Sequence, residues 1–98
     1  MLTVYKYPLK LNTNGIGTIN IDENAKLLHV NVQTRQFFLW ALVEPNGFKV
    51  DQTILVSATG QELYYDERRL THINTFLVDE GKFVFHAFKV EYLCEEVG

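Results

Sequence analysis

Apolar and polar residues alternate with period two along much of the chain, the mark of strands half-buried against a core. From Val4 to Leu11, Tyr5, Tyr7, Leu9 and Leu11 fall on one side and Lys6, Pro8 and Lys10 on the other. Pro8 cannot donate to a sheet ladder, so this strand is predicted at an edge. A short strand follows at Thr18 to Ile21, and the cleanest alternation runs from Lys26 to Gln33. There Leu28, Val30 and Val32 are predicted to face inward and His29, Asn31 and Gln33 outward. Further strands are read at Gln52 to Ala58, with Ile54, Val56 and Ala58 on one face, at Leu70 to Val78, and from Phe83 to about Tyr92. The Glu62 to Arg69 stretch lacks a second apolar turn and is read as a loop.

Two runs depart from the alternation. Phe37 to Val43 holds no polar residue, and Phe83 to Phe88 holds only His86. Both are far shorter than the ~20 residues of a membrane-spanning helix. They suit strands covered on both faces, which would put Trp40 between sheets. Asn12 to Gly17, Asp22-Glu23-Asn24, Thr34-Arg35-Gln36, Glu44-Pro45-Asn46-Gly47, Thr59-Gly60-Gln61 and Asp79-Glu80-Gly81-Lys82 carry turn chemistry. The short link at 34–36 predicts an antiparallel hairpin between the third strand and the apolar run. The expected architecture is all-β: one domain over residues 1–98, a barrel-like or sandwich fold of about seven mostly antiparallel strands.

Composition agrees with a folded domain. The 98 residues are 47% hydrophobic and 13% aromatic, too apolar for a disordered chain. The formal net charge is −3, and it is uneven: residues 1–33 hold three lysines and two acids, whereas residues 34–98 hold six basic and ten acidic residues. That balance argues against nonspecific nucleic-acid binding, which needs a basic surface. Cys94 is the sole cysteine, so no intrachain disulfide forms, and with Glu95 and Glu96 beside it nothing favours a thiolate. The opening Met1 to Tyr7 lacks the basic-then-apolar pattern of a secretory signal, and the chain is expected to be cytoplasmic.

Candidate chemistry is sparse. His29, His72 and His86 are far apart and show no ligand spacing, so neither a metal nor any other cofactor is expected. Ser57 is the only serine and lacks a Gly-x-Ser-x-Gly context, and no Gly-x4-Gly-Lys phosphate loop is present. No catalytic residue is assigned. Four binding candidates remain. Tyr64, Tyr65, Arg68 and Arg69 combine stacking rings with cations suited to an anion, though Asp66 and Glu67 between them can neutralise the pair. His29, Asn31 and Gln33 present mixed donors and acceptors on one strand face, which any solvated strand also does. Arg35 follows in the adjoining turn. His86 sits among apolar neighbours, either as a satisfied rim histidine or as a side chain lining a pocket.

Several segments together resemble a family of small uncharacterised proteins of bacteriophages and bacterial genomes. They are the Tyr5-Lys6-Tyr7-Pro8-Leu9 opening, Ala25-Lys26-Leu27-Leu28, Val30-Asn31-Val32-Gln33, Leu39-Trp40-Ala41-Leu42-Val43 followed by Glu44-Pro45, Thr75-Phe76, and Val84-Phe85-His86-Ala87-Phe88. Where that family carries Gly-Thr-Gly after the fifth strand, this chain has Ala58-Thr59-Gly60. The resemblance implies a phage or prophage setting and no established activity. It points to a binding protein that acts on a host protein or a small anionic ligand, by inhibition or sequestration, as in counter-defence. The alternative is a structural or assembly module working as a homo-oligomer, and an enzyme ranks last.

Overall fold

The computed structural model describes residues 1–92. The alternating segments and the two apolar runs become seven strands: β1 (Thr3–Leu9), β2 (Ile16–Asp22), β3 (Lys26–Gln33), β4 (Gln36–Val43), β5 (Lys49–Ala58), β6 (Leu70–Val78) and β7 (Phe83–Val90). They form two sheets, one in the order β1-β4-β3 and one in the order β2-β5-β7-β6. Every paired strand is antiparallel. The inner faces pack into one core that includes Leu9, Ile21, Val30, Leu39, Ala41 and Ile54. The sheets share no hydrogen-bonded strand pair, so the fold is a sandwich and not a closed barrel.

Turn chemistry sets the register. Asn12 accepts from the backbone N–H of Asn14 and Ile16 through its side-chain oxygen, at 2.9 and 3.1 Å, and bends the chain between β1 and β2. Gly15 sits there at φ 77°, and a Cβ would lie 2.3 Å from the Val56 carbonyl oxygen. Only glycine fits that approach. Gln33 pairs directly with Gln36, leaving a two-residue hairpin loop whose residues Thr34 and Arg35 have φ of 51° and 63°. Positive φ at both positions marks a type I′ turn, here without its usual Asn-Gly.

Asp22, at the end of β2, ties two loops together. Its carboxylate accepts from the backbone N–H of Glu44 at 2.9 Å and of Asn24 at 3.1 Å. These bonds lower its pKa below the ordinary 3.8. Gly47 leaves room for it, since a Cβ there would meet the carboxylate oxygen at 2.7 Å. A depressed carboxylate pKa gives stability that is complete above the unfolded value and fades as pH falls through the folded one. Stability should therefore drop as pH goes below about 4, and Asp22→Asn should flatten that acid limb in urea melts taken across pH. An unchanged acid limb would show that Asp22 does not drive it.

Several expectations need correction. Phe37 to Val43 is not covered on both faces: Leu39, Ala41 and Val43 are buried, but Phe38, Trp40 and Leu42 point outward and are half-buried. The reason is position, because β4 is central within its sheet while nothing packs on that sheet's outer side among the described residues. Phe83 to Phe88 is likewise uneven, with Ala87 buried and Phe83 53% exposed. Leu28 does not face the core. The register slips between Leu27 and His29, so Leu27 packs inward and Leu28 is exposed. That slip is a bulge, which no alternation count anticipates. Residues 67–69 form a single 3-10 turn, capped by the Asp66 side chain on the Arg68 N–H. β1 is an edge strand as Pro8 implies. Cys94, Glu95 and Glu96 lie outside the described residues.

Candidate functional site

The outer face of the β1-β4-β3 sheet brings together residues that the sequence scatters. Cross-strand register aligns Lys6 with Trp40 and Trp40 with His29, and aligns Pro8 with Phe38 and Phe38 with Asn31. Strand alternation then places Phe38, Trp40 and Leu42 in a central apolar row. Phe38 and Trp40 have ring centroids 6.2 Å apart, and the His29 ring lies 5.8 Å from Trp40. The Lys6 ammonium reaches over this row. It sits 4.1 Å from the Phe38 centroid and 5.7 Å from that of Trp40, and it donates to the Gln33 side-chain oxygen on the far strand. Asn31 joins the rim, with its amide 3.3 Å from the His29 ring nitrogen and its carbonyl accepting from Val32 N–H.

The three strands contain no aspartate or glutamate, whereas Lys6 and Lys26 lie on them. In a chain of net charge −3, this face is locally cationic. Phe38, Trp40 and Lys6 were absent from the sequence-derived candidates, the first two being assigned to the core. The signal that would have exposed them is Pro8, since an edge strand beside the apolar run makes a second covering layer harder to build.

The other candidates do not converge on this face. Arg68 is held by Asp66, with contacts of 2.6 to 3.2 Å, and the guanidinium lowers the Asp66 pKa to about 2. Arg69 turns away, donating to the Glu91 carbonyl at 3.0 Å and lying 5.6 Å from the Tyr65 ring. Tyr64 is 88% exposed and donates to Glu62. Arg68 and Tyr64 are thus engaged by local carboxylates, while Arg69 and Tyr65 stay together as a cation–ring pair. His86 projects from the outer face of the other sheet. One ring nitrogen contacts the Thr75 hydroxyl at 2.9 Å and the other the Thr59 hydroxyl at 2.7 Å, and Thr75 also meets His72 at 3.0 Å. Its polar atoms are satisfied within the protein. Arg35 stands at the β3–β4 hairpin tip, beside a cavity between the sheets. Among the described residues, no group of three or more His, Cys, Asp or Glu side chains is arranged to hold a metal ion.

A family model, a domain of unknown function designated DUF7352, matches residues 1–96. The chain belongs to this family. No curated protein and no solved structure matched the chain. The DUF7352 match spans both sheets and so takes in the aromatic face and the hairpin tip alike. No helix among the described residues of this DUF7352 chain is long and apolar enough to cross a membrane.

Proposed function

We propose that the chain is a non-enzymatic binding protein whose working surface is the outer face of the β1-β4-β3 sheet. The observation that carries this reading is the Phe38–Trp40 row, bridged by the Lys6 ammonium, on a sheet whose strands carry no carboxylate. Aromatic residues concentrate binding energy at interfaces, and complementary charge steers the encounter. A surface of this make-up suits an acidic patch on a protein. The resemblance to small phage proteins supports a host protein as the target, inhibited or sequestered in the cytoplasm as part of counter-defence.

An enzymatic reading has less support. The nearest constellation, Thr59–His86–Thr75, places a hydroxyl on each imidazole nitrogen. Among the described residues no carboxylate orients that imidazole, so it lacks the charged third member that stabilises an imidazolium in a triad.

The test is affinity capture from bacterial host lysate with the wild-type chain and with Lys6→Ala/Trp40→Ala, followed by calorimetry on the captured protein. Both substituted side chains lie off the core, so circular dichroism should be unchanged. The expected result is a partner held by the wild type whose affinity falls at least about tenfold in the variant, since a buried aromatic anchor commonly contributes 2 kcal/mol or more, roughly. Equal affinity in the two proteins would move the binding surface elsewhere.

A second reading, self-assembly, draws on β1, whose outer edge carries no partner strand among the described residues. Open edges recruit further strands, although Pro8 and Lys6 blunt this one. On this reading, sedimentation at high micromolar concentration should show a species above 11.4 kDa. A purely monomeric profile would eliminate it.

A further inference from the structure

The sandwich is open at one end, between the tips of the β3–β4 and β6–β7 hairpins. A cavity of about 520 Å³ lies there. Its walls are Val32, Phe37, Val78, Phe83 and Phe85. By register, Val32 pairs with Phe37 and Val78 with Phe83, so each sheet contributes one wall. The walls continue the core outward. Phe37 meets Phe76 and Phe85 edge-on at 6.2 and 6.0 Å, and Phe83 stacks with Phe85 at 6.4 Å. The volume falls within the range of small-molecule sites, roughly 300–1,000 Å³, which are mostly apolar with few polar groups.

Two charged residues complete the lining, Arg35 from one hairpin tip and Asp79 from the other. They are not equivalent. The Asp79 carboxylate has the Lys82 ammonium 3.9 Å away, which offsets its charge. Arg35 occupies a left-handed backbone position, φ 63°, where glycine or asparagine is the low-cost choice. The chain instead spends that position on a guanidinium at the mouth of an aromatic cavity. Guanidinium recognises carboxylates with two parallel donors.

We propose that this end of the sandwich binds a small amphiphile, with its apolar or aromatic body among Phe37, Phe83 and Phe85 and its carboxylate on Arg35. The site is separate from the β1-β4-β3 face and does not depend on it. The phenylalanines that extend beyond the sealed core then have an occupant, and Phe83, 53% exposed, is covered when the ligand is bound.

The probe is decanoate below its micelle-forming concentration, titrated by calorimetry into the whole chain, with decanol and decylamine as uncharged and cationic counterparts. Amide NMR shifts locate the binding. The expected result is saturable one-to-one binding of decanoate, weaker binding of decanol, weakest of decylamine, and shifts centred on Phe37, Val78 and Phe85. Arg35→Asn keeps a residue suited to the left-handed turn. It should weaken decanoate roughly 10- to 100-fold, the scale of one charged hydrogen bond, and leave decanol unchanged. Phe83→Asp, at an exposed position, should weaken decanoate and decanol alike. Absence of saturable decanoate binding, equal affinity for decylamine, shifts centred on Trp40, or an Arg35→Asn protein with wild-type affinity would each overturn the proposal.

Discussion

Leu39→Ala should cost about 2–5 kcal/mol of stability, and Trp40→Ala, one residue along the same strand, only about 1 kcal/mol. Leu39 is fully buried at the centre of β4, and its removal leaves a cavity between sheets that close packing on both sides prevents from collapsing. Trp40 faces the other way. It meets Phe38 on its own strand and His29 and the Lys6 ammonium on the two neighbouring strands, all along the outer face rather than in the core. Urea melts of the two variants measure both terms. A Trp40→Ala protein that loses as much as Leu39→Ala would mean that the outer face is covered by something else, and the binding reading built on its accessibility would fail with it.

That contrast also shows where sequence reasoning reached its limit. The period of two located the alternating strands, because inward positions on each had to be apolar for the sheets to pack, and the two apolar runs marked β4 and β7. Pro8 gave the edge, and the turn residues at 12–17, 34–35 and 79–82 gave the reversals. An apolar run carries no period, so it says that a strand is central without saying whether its second face is covered. Phe38 and Trp40 could not be told from core residues until their neighbours across the sheet were known. The same holds for the bulge at Leu28, where one extra residue turns a well-patterned leucine outward. The His29, Asn31 and Gln33 row was legible because β3 alternates strictly beyond that bulge, so its direction survived. Arg68 and Arg69 illustrate the reverse. Adjacent residues in a 3-10 turn diverge in direction, and Asp66 two positions earlier claims one of them. Local composition groups the two cations, and backbone geometry gives them different partners.

A larger effect than any surface change is expected at Asn74, a residue that nothing in the chain's patterning singles out. At the irregularity in β6 between His72 and Asn74, its side chain crosses to the edge of β3 in the other sheet. Its carbonyl oxygen accepts from the Val30 N–H at 2.8 Å, and its amide donates to the Val30 C=O at 2.9 Å. One side chain thereby satisfies the Val30 donor and acceptor that an additional strand would otherwise pair, and it fastens the two sheets together at that edge. Val30 is fully buried, so water does not reach these groups freely once the partner is removed. Leaving a buried backbone group unpaired costs roughly 1–3 kcal/mol, and two are at stake, so Asn74→Ala should destabilise by about 2–6 kcal/mol. Asn74→Asp separates hydrogen bonding from packing. A carboxylate still accepts from the Val30 N–H but sets a second charged oxygen against the Val30 carbonyl, whereas the protonated acid can donate to it. Its folded pKa is therefore raised, and the neutral form is the one the fold accommodates. The deficit of Asn74→Asp relative to wild type should shrink as pH falls from 7 through that raised value, the opposite of the acid sensitivity expected from Asp22. Melts of both proteins at matched pH measure this. An Asn74→Ala protein within about 0.5 kcal/mol of wild type, or an Asn74→Asp deficit that stays constant with pH, would show that the sheets are held at this edge by apolar packing alone.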